Sequence, residues 1–172
     1  MKTVWMSLVA LTISANFSMA MEHKMPPVKM PKEFDTMKKL IGTWEGKNEM
    51  HGKEEMVTVE YKLTSGGTAI METLMPGSAH EMVSMYYKNG NKLAMTHYCA
   101  IGNQPQMVLT KADPKAYTFE MTKTAGVSSM KEMHMHALTL KFTNDDELTQ
   151  EWTNFMDGKR GETAVFNLKR KK

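Results

Sequence analysis

Very little in this chain could staple it together or mark it chemically. Cys99 is the sole cysteine among 172 residues, so no internal disulfide can form and the fold must rest on its core. The longest apolar stretch, Val4 to Ile13, falls well short of the roughly 20 residues that a membrane-spanning helix needs. Neither sign of charge dominates: 22 Lys and Arg face 19 Asp and Glu, a formal +3, too weak and dispersed for a nucleic-acid interface. The basic end, Lys169-Arg170-Lys171-Lys172, reads as a solvated tail. No Gly-rich phosphate loop, nucleophile elbow or HExxH motif occurs, and no catalytic residue is assigned. Cys99 and His97 do not make a nucleophile–base pair, because side chains two apart on a strand are separated by about 7 Å. Cys99 reads instead as a small buried hydrophobe.

What the chain does have begins with an export pattern. Lys2 supplies a positive start, Val4 to Ile13 an apolar segment, and Ser18-Met19-Ala20 a small-x-small cleavage site. Residues 1–20 are therefore expected to be a signal peptide cut after Ala20, placing the protein in the periplasm or outside the cell. Residues 21–32 hold three prolines and no periodicity, the texture of a flexible arm. Its Met21, His23, Met25 and Met30 are soft or borderline ligands that could catch Cu(I), although a plain linker is the favoured reading. Residues 33–172 read as one domain. A short helix is expected over Phe34 to Leu40, with Phe34, Met37, Leu40 and Ile41 on one face.

After Gly42 the texture changes to about ten alternating runs. Turn chemistry separates them at His51-Gly52-Lys53, Ser65-Gly66-Gly67, Pro76-Gly77, Asn89-Gly90, Asp113-Pro114, Asn144-Asp145 and Asp157-Gly158. Short links make sequence neighbours into sheet neighbours, and a long meander escapes exposed edges by closing. The expected fold is all-β, an antiparallel up-and-down barrel of about ten strands with a short N-terminal helix; a two-sheet sandwich is the alternative. An edge left open between the first and last strands would permit dimerisation, but no residue decides the oligomeric state.

Alternation then assigns the faces. Val57, Val59, Tyr61 and Leu63 point inward on one run, and Leu93, Met95, His97 and Cys99 on another. Leu138, Leu140 and Phe142 set the parity that carries His134 and His136 inward, and Trp44, Gln150, Trp152, Asn154 and Phe166 join them. Glu72 and Glu81 lie on runs that alternate too poorly to assign. A β-bulge would reverse any assignment beyond it. The expected lumen therefore contains Trp44, Tyr61, Met95, His97, Cys99, His134, His136, Gln150 and Trp152. Buried polar groups need partners, and several converging on one lumen point to a small ligand or ordered water.

The segment Leu40-Ile41-Gly42-Thr43-Trp44-Glu45-Gly46 resembles the Gly-x-Trp opening strand of calycin-type barrels, the superfamily of lipocalins and fatty-acid-binding proteins. Further segments extend the likeness over nearly all of the chain after residue 20. They are Thr64-Ser65-Gly66-Gly67, Pro76-Gly77 through His80-Glu81-Met82-Val83, Thr96-His97-Tyr98-Cys99, Gly102-Asn103-Gln104-Pro105, Met133-His134-Met135-His136 and Glu151-Trp152-Thr153. Together they are similar to an uncharacterised family of bacterial calycin-like barrels near the fatty-acid-binding and nitrobindin-like branch. The resemblance implies a fold and a general binding role; fold alone does not settle function. Nitrobindin-like barrels hold haem iron through a late histidine, and no histidine follows His136 here, which disfavours haem, although His134 or His136 could substitute.

The favoured function is an exported carrier or sensor of a small apolar or amphipathic molecule. Twenty methionines, three of them in residues 1–20, suit an adaptable pocket, although most are expected simply to fill the core. The runner-up is a Zn or Cu site, and with it a metal-dependent enzyme, using His134 and His136 with His97 or Cys99 as third ligand. A structural envelope protein with a filled lumen is third.

Overall fold

The computed structural model describes residues 26–50 and 53–172. The signal segment and its cleavage site, Met21, His23 and Met25 of the arm, and the His51-Gly52 turn lie outside the described residues. Helix α1 (Glu33–Lys38) is followed by β1 (Gly42–Met50), β2 (Lys53–Thr64), β3 (Ala69–Leu74), β4 (Met82–Asn89) and β5 (Lys92–Tyr98). Then come β6 (Gln104–Asp113), β7 (Ala116–Ala125), β8 (His134–Asn144), β9 (Glu147–Met156) and β10 (Lys159–Arg170). Every strand pairs antiparallel with its sequence neighbours, and β1 pairs with β10 to close a ten-stranded barrel. Closure removes the free edge on which strand-to-strand dimerisation would depend.

Local chemistry explains the meander. Asp157 and Gly158 both take positive φ, 53° and 70°, the two-residue turn whose twist matches a hairpin. At the β6–β7 turn, the Asp113 carboxylate accepts from the backbone N–H of Lys115 at 2.9 Å and of Ala116 at 3.0 Å. At the seam, a Cβ on Gly46 would overlap the Asn167 carbonyl, so only glycine lets β1 and β10 approach closely enough to join.

One end of the barrel is sealed by α1. Phe34, Met37 and Leu40 are buried in the common core, whereas Ile41 is 38% exposed and does not share that face. Trp44 donates from Nε1 to the Leu40 carbonyl at 2.7 Å. Arg170, from the last strand, lies 4.3 Å over the Trp44 ring. Its guanidinium donates to the carbonyls of Lys39 at 2.6 Å, Ile41 at 2.9 Å and Asp145 at 3.0 Å, and pairs with Asp146 at 3.4 Å. Arg170 thus leaves the expected solvated tail and becomes the clasp that ties the start of the barrel to its end.

Two further departures bear on the site. β5 stops at Tyr98, so Cys99 lies in the turn beyond it. β8 begins at His134 and shifts register between Met135 and Ala137, the position at which inward parity had been extended back to the histidines. No helix among the described residues is long and apolar enough to cross a membrane.

Candidate functional site

The inner face carries a polar row in register across four adjacent strands. Tyr61 on β2 stands opposite Glu72 on β3, Glu72 opposite Ser84 on β4, and Ser84 opposite His97 on β5. Facing residues in adjacent antiparallel strands bring their Cβ atoms to about 5 Å, so the register itself assembles the group. Glu72 has the parity of Ile70 and Leu74, all three essentially inaccessible to solvent.

Hydrogen bonds join this row to the facing wall. Tyr61 donates its hydroxyl to Glu72 Oε1 at 3.0 Å, and Tyr86 donates to Glu72 Oε2 at 2.7 Å. Gln150, from β9 across the lumen, donates through Nε2 to Glu72 Oε1 at 2.6 Å and to the Tyr61 hydroxyl at 2.5 Å. Its Oε1 in turn accepts from Trp152 Nε1 at 2.9 Å. Ser84 Oγ lies 3.0 Å from His97 Nδ1. The His97 ring packs against Trp152, centroids 4.5 Å apart.

Burial governs the electrostatics. It raises the Glu72 carboxyl above the usual carboxylate range, while hydrogen bonds from Tyr86, Gln150, Tyr61 and Ser84 oppose that rise. Burial, followed by the charge of Glu72, holds both tyrosine hydroxyls well above their usual value. His97 is lowered to about 4 by burial, so its imidazole is neutral at neutral pH. No Lys or Arg is among the buried residues described.

Ser84 Oγ and His97 Nδ1 share one hydrogen bond, and which atom donates follows the imidazole tautomer. No hydrogen bond reaches Nε2 among the described residues. Asn48, 4% exposed and sharing the parity of Trp44, has a buried Oδ1 without a partner. This arrangement holds a buried carboxyl and a buried imidazole on adjacent strands, with Ser84 hydrogen-bonded to the imidazole. It lacks the carboxylate on the far imidazole nitrogen that would orient His97 as the base of a serine nucleophile. Ser84→Ala should cost about 1–2 kcal/mol by stranding His97 Nδ1. Urea denaturation measures this, and an unchanged midpoint would show that the Ser84 link contributes nothing.

The expected lumen residues divide into two groups. Trp44, Tyr61, Met95, His97, Gln150 and Trp152 are all buried on the inner face. Cys99 is half-buried outside the strand, its thiol 3.9 Å from Met82 Sδ and its pKa pushed up by burial. Asn103, in the turn that follows, is buried and donates from Nδ2 to the Met133 carbonyl at 2.8 Å. It thereby ties the Gly102–Pro105 turn to the loop before β8.

His134 and His136 do not enter the lumen. His136 is the extra residue of the β8 bulge, so His134 pairs with Phe155, whose parity is opposite to that of Trp152, while Met135 turns in to pack on the core. His134 is nonetheless buried. Its Nδ1 donates to the Glu132 carbonyl at 2.8 Å, its Nε2 lies 3.4 Å from His136 Nδ1, and His136 stacks on Phe155 at 3.9 Å. Burial, then proximity to His134, lowers the His136 pKa, against an opposing pull from Glu120. His97 is not brought to this pair, and among the described residues no three His, Cys, Asp or Glu side chains converge as metal ligands. The expected three-histidine site is corrected accordingly: one bulged residue turned both late histidines away from His97.

The sequence reading missed Ser84, Tyr86 and Asn48 and left Glu72 unassigned. On β4 the outward residues Val83, Met85 and Tyr87 are as apolar as the inward ones, which hid the parity. Ile70 and Leu74 were the available signal for Glu72. Glu81, the other unassigned carboxylate, lies outside the strands and accepts from the Gly77 N–H at 2.6 Å. No protein-family model matches this chain, and no curated protein matches it.

Proposed function

We propose that the protein is an exported, calycin-like barrel that binds a small molecule in its lumen. The observation that carries this reading is the buried Glu72 cluster, a carboxyl with no cation beside it among the described residues, set among apolar walls. A buried ionisable group is costly, and a barrel needing only a packed core would be better served by apolar side chains. On the same face Asn48 Oδ1 is buried without a hydrogen-bond partner, and an unmet acceptor favours an occupant or an ordered water that brings a donor. Lys2, the Val4–Ile13 stretch and Ser18-Met19-Ala20 support export. The Gly-x-Trp strand, the leading helix and the closed antiparallel meander support calycin kinship.

A filled structural barrel is the second reading, favoured by the internal satisfaction of Glu72 and Gln150. Native mass spectrometry of protein purified from its own envelope, with metal analysis on the same sample, separates the two. A bound organic mass without metal is expected. Protein that is empty from every preparation and unresponsive to probes would leave the filled barrel as the function.

A further inference from the structure

A cavity of about 350 Å³ opens to solvent at the sealed end, between α1 and the β6–β7 and β8–β9 turns. That volume lies within the range of small-molecule sites. Its floor is apolar, formed by Leu40, Trp44, Pro114, Phe142 and Leu148. Lys39, the C-cap of α1, and Lys115, in the β6–β7 turn, also line it, and both are exposed.

The barrel fixes the backbone beneath both lysines and leaves their side chains free. The Lys39 carbonyl accepts from Arg170 at 2.6 Å, and the Lys115 carbonyl accepts from the Phe142 N–H at 2.8 Å. Neither ammonium has an ion-pair or hydrogen-bond partner among the described residues. Other charges on the wall are spent. Arg170 is engaged with three carbonyls and Asp146, and Glu147 with Asn144 at 3.1 Å and Lys169 at 3.5 Å. Of the lining carboxylates, only that of Asp145 is also without a partner among the described residues. Two unmatched cations therefore meet one unmatched anion over an apolar floor, a balance that favours an anion with an apolar body.

Phe142 and Pro114 are the floor residues that are not fully buried, and both are rings. A planar body covers them without the rotor entropy that a flexible chain would lose. We infer that this cavity binds a small aromatic carboxylate, its ring against Phe142 and Pro114 and its oxygens toward Lys39 and Lys115. The site lies outside the lumen and stands whether or not the lumen holds a ligand.

NMR chemical-shift titration of the full chain with cinnamate and with cinnamylamine tests this, in wild type and in the double variant Lys39→Gln, Lys115→Gln. Both substituted side chains are exposed and unpartnered, so the variant is expected to fold. Cinnamate should saturate wild type with a Kd of about 1 mM or tighter. Its largest amide shifts are expected around Leu40 and Phe142, not around Glu72 and His97. Cinnamylamine should bind at least about tenfold more weakly, and the double variant should lose about tenfold in cinnamate affinity. Cinnamate binding that is unchanged in the double variant, or that shifts the Glu72 and His97 amides instead, would overturn the inference and support a ligand in the lumen. Equal affinity for acid and amine would overturn it as well. So would the absence of cinnamate binding to wild type, an outcome that leaves the lumen reading where it stood.

Discussion

Trp44→Ala is expected to lower the melting temperature by on the order of 10 °C. Removing a fully buried tryptophan costs about 3–5 kcal/mol, and each kcal/mol shifts a domain of this size by about 2–4 °C. The ring is 1% exposed and supports three parts of the sealed end. It fills the core beside Leu40, satisfies the Leu40 carbonyl at 2.7 Å, and provides the face on which Arg170 stacks at 4.3 Å. Trp44→Phe separates these roles, keeping most of the packing and losing about 1 kcal/mol with the hydrogen bond. Arg170→Lys should cost about 2 kcal/mol, because an ammonium cannot reproduce the planar fork that reaches three carbonyls. Differential scanning calorimetry reads all three. A Trp44→Ala loss no larger than that of Trp44→Phe would show that the sealed end is not built on the ring.

Acidification should destabilise the barrel through His97, by on the order of 3 kcal/mol between pH 6.5 and about 4. In the unfolded chain this imidazole takes up its proton near pH 6.5; in the barrel burial delays uptake until about 4. Within that window the unfolded state binds more protons, so stability falls as pH falls, and below about 4 the loss is complete. The group is 2% exposed, so solvent does little to screen it. Glu72 acts in the opposite direction. Its raised folded value means that the barrel gains stability as pH falls through that value toward the ordinary carboxylate range. His97→Phe keeps a ring against Trp152 and removes the titrating group, so it isolates the histidine contribution. Urea midpoints across this pH range should flatten in His97→Phe relative to wild type. Parallel curves for the two proteins would reject His97 as the origin of the acid sensitivity.

The lumen was legible in the sequence only where alternation was clean. Val57, Val59 and Tyr61 alternate with Thr58, Glu60 and Lys62, and Leu93, Met95 and His97 with Lys92, Thr96 and Tyr98; both runs were assigned to the faces they occupy. β4 has large apolar side chains on both faces, so Ser84 and Tyr86 carried no readable parity. The histidines failed for a different reason. Nothing in Met133-His134-Met135-His136 announces an extra residue, and a bulge is decided by how β8 must meet β9 at Asn154 and Thr153.

What the sequence determined by itself was local and periodic. It comprised an all-β chain, about ten strands, hairpin links, a leading helix, and the inward set on regular strands. Turn propensities and period-two patterning act over a few residues, so they survive without knowledge of the partners. Only the tertiary structure decided which polar groups meet. Glu72 meets Gln150 from 78 positions away, and Arg170 reaches Lys39 from 131 positions away. Such contacts depend on barrel closure and on strand register, and a one-residue slip reverses every side chain beyond it. The chemistry of the lumen is therefore a product of registration, written in no single segment of the chain.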